Sequence, residues 1–371
     1  MNNAIKGRDV YIAGIGSFSP GDPVPFDNIE NVLGEITNAP KKLLKRINRM
    51  RPIMKEMLGV EYSHYALDPK TRQPTETNIS MAVKSSQKAL EIAKIDAPDI
   101  DLIIYAGILY DCTCPPSSVL LQDALNIPYC AEMSIHSNCT SIYKALQVAA
   151  DMIANGRYNN ALVVASQLSS VFLRAEYFNQ ERMTEEQAVL RWFLSDGSGA
   201  IVLSAKEPEK VRLKVVDTYL ESVGMGIKPS MRMDIGAANC DFSSIYEQGS
   251  HHLTQDIKTV AKLAPKFFGD GIHTMLDKMQ IDVSKVKCFF ANIPTRHMMD
   301  LAVKNLKKDF KNPDLPFYTK LSTRGYQGAP AIIIAIDEYM KETNLKPGDC
   351  LVSFVTESSK WMHAGFVLEY C

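Results

Sequence analysis

The sequence predicts a layered α/β fold built from two similar halves. Short buried apolar segments alternate with helical patterns through residues 9–204, and this alternation is typical of strands and helices stacked in layers. The same order of patterns begins again near residues 205–210. No low-complexity linker separates the two series. We therefore predict halves at residues 1–207 and 208–371 that pack as one rigid body.

In the first half, strands are predicted where short apolar runs stand between turn-forming residues. Helices are predicted where apolar residues recur three and four positions apart. The predicted strands are 9–16, 101–107, 131–135, 160–166 and 200–203. The predicted helices are 41–55, 78–94, 116–125 and 142–153, with a helical insertion at 171–192.

The second half repeats the order of strand and helix patterns. Its predicted strands are 211–216, 286–291, 316–320, 350–355 and 365–369. Its predicted helices are 255–276, 298–306 and 330–340.

Composition excludes several classes of protein. Apolar residues make up 46% of the 371 residues, and the formal net charge is −1, so no global positive field indicates a nucleic-acid partner. No apolar run is long enough for a membrane span, and residues 1–6 lead into a strand without a signal-peptide core. The eight cysteines form no paired motif, so we expect reduced thiols in a cytoplasmic protein without a metal site.

One segment is strongly basic. Residues 41–55 carry seven lysines and arginines, interleaved with apolar residues at helical spacing. One interpretation is a solvated helix face whose apolar stripe packs on the core. The other is a docking patch for an acidic partner. Residues 14–16 read Gly-Ile-Gly but lack the third glycine of a dinucleotide-binding loop, which argues against that function.

Cys139 stands where a predicted strand turns into a predicted helix. Free N–H groups and the positive end of the helix dipole favour an anion at such a position, so we expect this thiol to ionise more readily than a free one. A thiolate there can accept an acyl group. The alternative is a buried structural cysteine.

Five segments in the same order resemble β-ketoacyl-acyl-carrier-protein synthase III, a condensing enzyme of the thiolase fold. They are the Cys139 turn with 142–146, the strand 161–164, and the segments 195–200, 325–338 and 345–349. The resemblance implies two βαβαβαββ halves in a five-layered αβαβα structure, usually a homodimer. It also implies a nucleophilic cysteine at the start of a buried helix, with no cofactor beyond the acyl-carrier-protein or coenzyme A thioester substrate.

The chain departs from this family at its catalytic positions. The family's His and Asn stabilise the enolate that forms when a malonyl group loses carbon dioxide. Those positions read Asn292 and Tyr326 here. The glycine-rich loop of the thioester pocket reads Glu-Ser-Ser at 357–359, and the Trp and Arg that hold coenzyme A fall near Ile53 and Met57.

The catalytic candidates are therefore Cys139, Asn292, Tyr326 and His363. His363 is included because its loop resembles one that borders the pocket; His136 and His297 are other possible substitutes for the lost histidine. His251 and His252 have no third metal ligand in view. The substrate-binding candidates are Ser358, Ser359, Trp361 and Arg296.

Two functions are compatible with these residues. The first is a ketosynthase III-like acyltransferase of a specialised pathway, such as polyketide, fatty-acid-type or antibiotic biosynthesis. It would load an acyl group onto Cys139 and pass it to an acceptor without efficient malonyl decarboxylation. The second is a catalytically degenerate partner subunit of a heteromeric ketosynthase. Loss of the coenzyme A clamps and the basic segment favour a carrier-protein donor, and we expect a homodimer or heterodimer.

Overall fold

The computed structural model describes residues 7–371, so the predicted lead-in at residues 1–6 lies outside the described part. The first half contains seven strands and seven helices. The strands are β1 (Tyr11–Phe18), β2 (Val24–Pro25), β3 (Tyr62–Ser63), β4 (Leu102–Gly107), β5 (Ala131–His136), β6 (Asn160–Gln167) and β7 (Gly197–Ser204). The helices are α1 (Ile29–Leu33), α2 (Lys41–Leu58), α3 (Asn78–Ala93), α4 (Ser117–Ala124), α5 (Ser141–Ala154), α6 (Ser170–Leu173) and α7 (Glu185–Arg191).

The second half begins after residue 204 and contains seven strands and five helices. The strands are β8 (Leu213–Ser222), β9 (Met231–Arg232), β10 (Thr254–Gln255), β11 (Val286–Ala291), β12 (Phe317–Tyr318), β13 (Cys350–Glu357) and β14 (Met362–Tyr370). The helices are α8 (Phe242–Gln248), α9 (Ile257–Met279), α10 (Arg296–Asp309), α11 (Leu321–Arg324) and α12 (Ala331–Glu342).

The strand order displays the duplication directly. The main sheet runs β12-β11-β13-β14-β8-β1-β7-β6-β4-β5. Read outwards from its middle, each side gives the same sequence of pairings: two antiparallel pairs followed by two parallel pairs. Thus β1, β7, β6, β4 and β5 correspond to β8, β14, β13, β11 and β12.

Helices separate the two halves of the sheet into layers. α5 follows β5 and packs on β4 and β6 of its own half but also on β8 and β14 of the other. α12 follows β12 and packs on β1 and β7. These two central helices therefore lie between the halves, whereas α3 covers the outside of the first half and α9 the outside of the second. This is the predicted αβαβα arrangement.

Two regions differ from the sequence prediction in detail. The predicted helical insertion at 171–192 consists of the short helices α6 and α7 joined by turns. The segment 224–254, which carried no predicted element, contains β9 and α8, and β10 (Thr254–Gln255) pairs with β9 just before α9 begins. None of the helices within residues 7–371 combines the length and apolar character that a membrane span requires.

The glycines of β1 are explained by packing. A Cβ atom added to Gly14 would lie 2.0 Å from the carbonyl oxygen of Ala89 in α3, and one added to Gly16 would lie 2.2 Å from that of Ser85. α3 can therefore approach β1 only because these residues lack side chains. This contact gives the glycines a structural role without any dinucleotide.

Replacing Gly14 with alanine is expected to lower the free energy of unfolding by about 1–3 kcal/mol, because the helix must move away from the strand. Gly269→Ala is the matched control: it lies within α9, and an added Cβ meets no atom within 4 Å. That variant is expected to gain roughly 0.5–1 kcal/mol from helix propensity. Urea unfolding followed by circular dichroism measures both, and an unchanged Gly14→Ala would contradict the packing argument.

Candidate active site

The Cys139 thiol lies at the turn between β5 and α5. β5 ends at His136 and α5 begins at Ser141, so the cysteine stands just before the first turn of the helix. The residue is 9% exposed and lines a cavity of about 240 Å³. The structure thus places this cysteine at the strand-to-helix turn that the sequence predicts.

Tyr326 contacts the thiol from the second half of the chain. Its hydroxyl donates a hydrogen bond to Cys139 Sγ over 2.9 Å. The backbone holds the ring in place: Tyr326 N–H donates to the Phe193 carbonyl at 2.9 Å, and Ser195 N–H donates to the Tyr326 carbonyl at 3.0 Å. Gly325 precedes it at φ 66°, a left-handed conformation that favours glycine. Two of the predicted site residues are therefore brought together.

A buried carboxylate that the sequence pattern did not reveal lies beside them. Glu357 ends β13 and is 1% exposed. It accepts hydrogen bonds from the Thr140 N–H at 2.9 Å and the Thr140 hydroxyl at 2.6 Å. The Asn138 N–H also donates to it, over 3.3 Å. The available signal was the Glu-Ser-Ser segment in place of a glycine-rich loop, but only the fold shows where this glutamate points.

These surroundings raise the pKa of the Cys139 thiol to about 12. Burial is the main cause, the negative charge of Glu357 adds to it, and the hydrogen bond from Tyr326 acts in the opposite direction. The prediction that this thiol ionises more readily than a free one is therefore wrong. The start of α5 does favour an anion, but the Glu357 carboxylate already occupies that position.

A lysine lies close to the buried carboxylate. Lys144 Nζ donates to Ser137 Oγ at 2.8 Å, and Ser137 Oγ donates to Glu357 at 3.1 Å. Burial lowers the pKa of Lys144, and the charge of Glu357 opposes this shift. The carboxylate and the ammonium group are thus linked through one hydroxyl.

The cavity around the thiol has apolar and polar walls. Ser358 and Ser359, two predicted substrate-binding residues, line it together with Gln167 and Gln255. The 224–254 segment closes one side. The apolar lining consists of Ile108, Leu109, Phe193, Leu194, Met231, Met233, Ile235 and Leu253. A mixed lining of this kind suits a ligand with an apolar chain and a polar head.

Comparisons with known proteins agree with this geometry. Residues 133–224, which include the Cys139 turn, match the sequence model of 3-oxoacyl-[acyl-carrier-protein (ACP)] synthase III. The β-ketoacyl-[acyl-carrier-protein] synthase III of Clostridium perfringens strain 13 is 28% identical over 295 residues, covering 79% of this chain and 83% of that protein. Two solved structures share the fold. One is the tetronic acid condensing enzyme AbyA1, with a TM-score of 0.80 and 20% identity, covering 97% of this chain and 99% of that one.

The other is the priming β-ketosynthase of the R1128 polyketide biosynthetic pathway, with a TM-score of 0.77 and 19% identity, covering 98% of this chain and 97% of that one. The chain is a ketoacyl synthase III-like protein of the thiolase fold. This class consists of condensing acyltransferases.

In this synthase III-like chain, Asn292 lies behind Tyr326 and does not line the Cys139 cavity. It follows β11, is 5% exposed, and borders two small cavities of about 10 and 30 Å³. Its amide atoms meet no partner within hydrogen-bond distance among residues 7–371, but the amide lies near the Tyr143 hydroxyl, where it opposes the rise that burial causes in the pKa of that tyrosine.

The structure does not bring His363, Trp361 or Arg296 to the thiol. His363 is buried in β14, near the Phe354 ring and under α9, and burial lowers its pKa. The indole N–H of Trp361 donates to Ser230 at 3.2 Å in the core. Arg296 is exposed at the start of α10, with Asp300 at 3.7 Å. The side chains of these three residues are absent from the cavity lining, so we assign them no part in thiol chemistry.

The other histidines give no substitute in contact with the thiol. His136 lines the Cys139 cavity, and its Nδ1 lies 3.1 Å from the Tyr110 hydroxyl. His297 is exposed on α10. His251 and His252 are buried, with His252 Nδ1 3.1 Å from Gln187 Oε1. No group of three or more potential metal ligands occurs among residues 7–371.

Tyr326→Phe is expected to raise the pKa of the Cys139 thiol further, because the variant loses the side-chain hydrogen bond that stabilises the thiolate and keeps only the one from the backbone N–H of Cys139. Alkylation of Cys139 by iodoacetamide at pH 9 should slow by a few fold to about tenfold, measured by mass spectrometry of the Cys139 peptide. Tyr339→Phe removes a buried hydroxyl elsewhere and should leave that rate unchanged. An unchanged rate in Tyr326→Phe would mean that the hydroxyl does not influence the thiol.

Proposed function

We propose that this synthase III-like enzyme transfers acyl groups through Cys139 in a specialised pathway of polyketide or fatty-acid type. It takes the acyl group from a thioester and passes it to an acceptor, without efficient decarboxylation of malonyl groups. The observation that carries the proposal is the position of the Cys139 thiol at the start of α5. The thiol opens to a mostly apolar cavity, and it accepts a hydrogen bond from Tyr326 rather than from an imidazole.

Acyl loading needs few protein groups. The Cys139 sulfur attacks the thioester carbonyl, a new carbon–sulfur bond forms, and the old one breaks. The proton lost from Cys139 leaves with the departing thiol, so atoms and charge balance.

Decarboxylation makes a harder demand, because an enolate must be stabilised by donors that face it. Asn292 lies outside the cavity, and the Tyr326 hydroxyl already donates to the thiol. Glu357 places a negative charge beside the site, which opposes any further anion. These three features support loading without efficient malonyl decarboxylation.

The acyl donor that fits this chain best is a carrier-protein thioester. On α2, where the family would hold coenzyme A, Ile53 and Met57 are exposed apolar side chains with no aromatic or guanidinium group between them. α2 packs beside α10, so the basic segment 41–55 adjoins a second basic helix. A shallow groove on α10 is lined by Lys304, Lys307, Lys308 and Lys311. Such a surface attracts an acidic carrier protein.

Two further properties belong to this proposal. β5 forms an edge of the main sheet, so a second subunit can extend the sheet there and form a homodimer or heterodimer. All eight cysteines are free, which suits a reducing compartment such as the cytoplasm.

Incubation with acyl-carrier-protein and acyl-coenzyme A donors is expected to add one acyl group at Cys139, located by digestion and mass spectrometry. Cys139→Ser controls for other cysteines and should carry no thioester there. Carrier-protein donors should load faster than coenzyme A donors, and added salt should reduce this preference. The absence of an adduct at Cys139 across a panel of chain lengths would overturn the proposal.

Malonyl decarboxylation should stay near background in the natural chain. Asn292→His combined with Tyr326→Asn restores the family's two donor types and is expected to raise carbon dioxide release at least tenfold, which corresponds to about 1.4 kcal/mol. Release that is already rapid in the natural chain would contradict the predicted loss of this step.

The second candidate is a non-catalytic partner subunit. Two observations favour this alternative: the pKa of the Cys139 thiol is raised, and the Tyr326 hydroxyl donates a hydrogen bond to its sulfur. It predicts no acyl adduct with any donor, together with a gain of activity when the chain is added to an active ketosynthase. Cys139→Ala should then leave that gain intact. If Cys139 instead carries the acyl group, Cys139→Ala should give no gain.

A further inference from the structure

The carboxylate of Glu357 is built into the start of the nucleophile helix. Besides Thr140 and Asn138, it accepts hydrogen bonds from the hydroxyls of Ser137, at 3.1 Å, and Ser359. Its donors thus come from the loop before α5 and from its own loop after β13. A carboxylate surrounded by backbone N–H and hydroxyl donors on several sides is held firmly in one position.

This carboxylate contacts the residues that lead directly into α5. Thr140 precedes α5, yet its side chain makes no capping bond to the helix. The hydroxyl instead donates to Glu357. A side chain from the second half of the protein therefore fills the anion-favouring position at the start of a helix in the first half. A thiolate at Cys139 would be a second negative charge at the same place.

We propose that Glu357 is a positioning residue that occupies the anion site at the start of α5 and thereby governs the reactivity of the Cys139 thiol. With the carboxylate in place, the cysteine stays as a neutral thiol near neutral pH. Attack on a thioester, alkylation and oxidation all proceed through the thiolate, so the carboxylate slows each of these reactions until the proton of Cys139 is removed. The inference rests on the proposed function only in taking Cys139 as the reactive cysteine.

Several charged or titratable groups surround this pair, and they act in different directions. The ammonium of Lys144 is linked to the carboxylate through Ser137 and favours a thiolate. The groups that line the cavity or contact the sulfur are Tyr326, His136 and Arg232. All of these side chains remain when Glu357 alone is replaced. The pKa values of Lys144 and Tyr326 respond to the carboxylate, so Lys144 is tested by a separate variant.

The test is the pH dependence of Cys139 alkylation by iodoacetamide, followed peptide by peptide in the whole protein. Glu357→Gln keeps a hydrogen-bonding side chain of similar size but removes the charge. The midpoint for Cys139 should move to lower pH, and its rate at pH 8 should rise about tenfold. Glu357→Asp retains the charge and should restore a midpoint near that of the natural protein.

Glu338→Gln is the matched control, because Glu338 is a partly buried carboxylate paired with Arg324 at 2.6 Å outside the cavity lining. It should leave the midpoint for Cys139 unchanged. If Glu357→Gln folds, as judged by circular dichroism, and its midpoint equals that of the natural protein, the inference is overturned.

A second variant keeps the test decisive if Glu357→Gln does not fold. Lys144→Met removes the cation that offsets the carboxylate, so the midpoint for Cys139 should move to higher pH and alkylation at pH 9 should slow. No change, or a faster reaction, would overturn the inference. Alkylation needs no acyl donor: a shifted midpoint without acyl loading would count against the proposed function alone, and acyl loading without a shift would count against this inference alone.

Discussion

The hydrogen bonds between Glu357 and the start of α5 join the two halves of the protein at the reactive cysteine. One end of this contact belongs to β13 and the other to the turn before α5. A buried carboxylate is stable only with enough donors around it, and the 137–140 turn supplies most of them. The position of the Cys139 turn and the negative charge beside its thiol depend on this contact.

The duplication explains why the site forms where it does. β5 and α5 in the first half correspond to β12 and α12 in the second, so the Cys139 turn corresponds to the segment that carries Tyr326. Both turns face the middle of the molecule, because α5 and α12 form the central helical layer. The hydrogen bond from Tyr326 to Cys139 is therefore a contact between corresponding turns of the two halves, where a repeated fold creates a shared cavity.

The chemistry differs from that of a standard condensing enzyme in a consistent direction. An enolate needs donors and a positive environment, whereas this cavity offers a tyrosine bound to sulfur and a nearby carboxylate. Thioester exchange also proceeds through a thiolate, but it forms no enolate, so it makes smaller electrostatic demands. Asn292 and His363, which sequence reasoning placed at the thiol, belong to the packed second half. In the function that we propose, the departures from the family act together to favour loading over carbon–carbon bond formation.

The sequence alone determined the layered α/β class, the repeated order of elements and the cysteine at the strand–helix turn, because these follow from local apolar periodicity and turn chemistry. The resemblance to the synthase III family, rather than any local pattern, placed Tyr326 at the thiol. Only the tertiary structure decided the ionisation of the thiol, because burial, the main cause of its raised pKa, and the carboxylate that adds to it from 218 residues away in the chain both arise from the fold. Likewise, the inward or outward direction of His363 depends on which face of β14 meets α9. Contacts between residues of the two halves follow no periodic pattern in the sequence. Their effect on the Cys139 thiol therefore could not be predicted from the sequence.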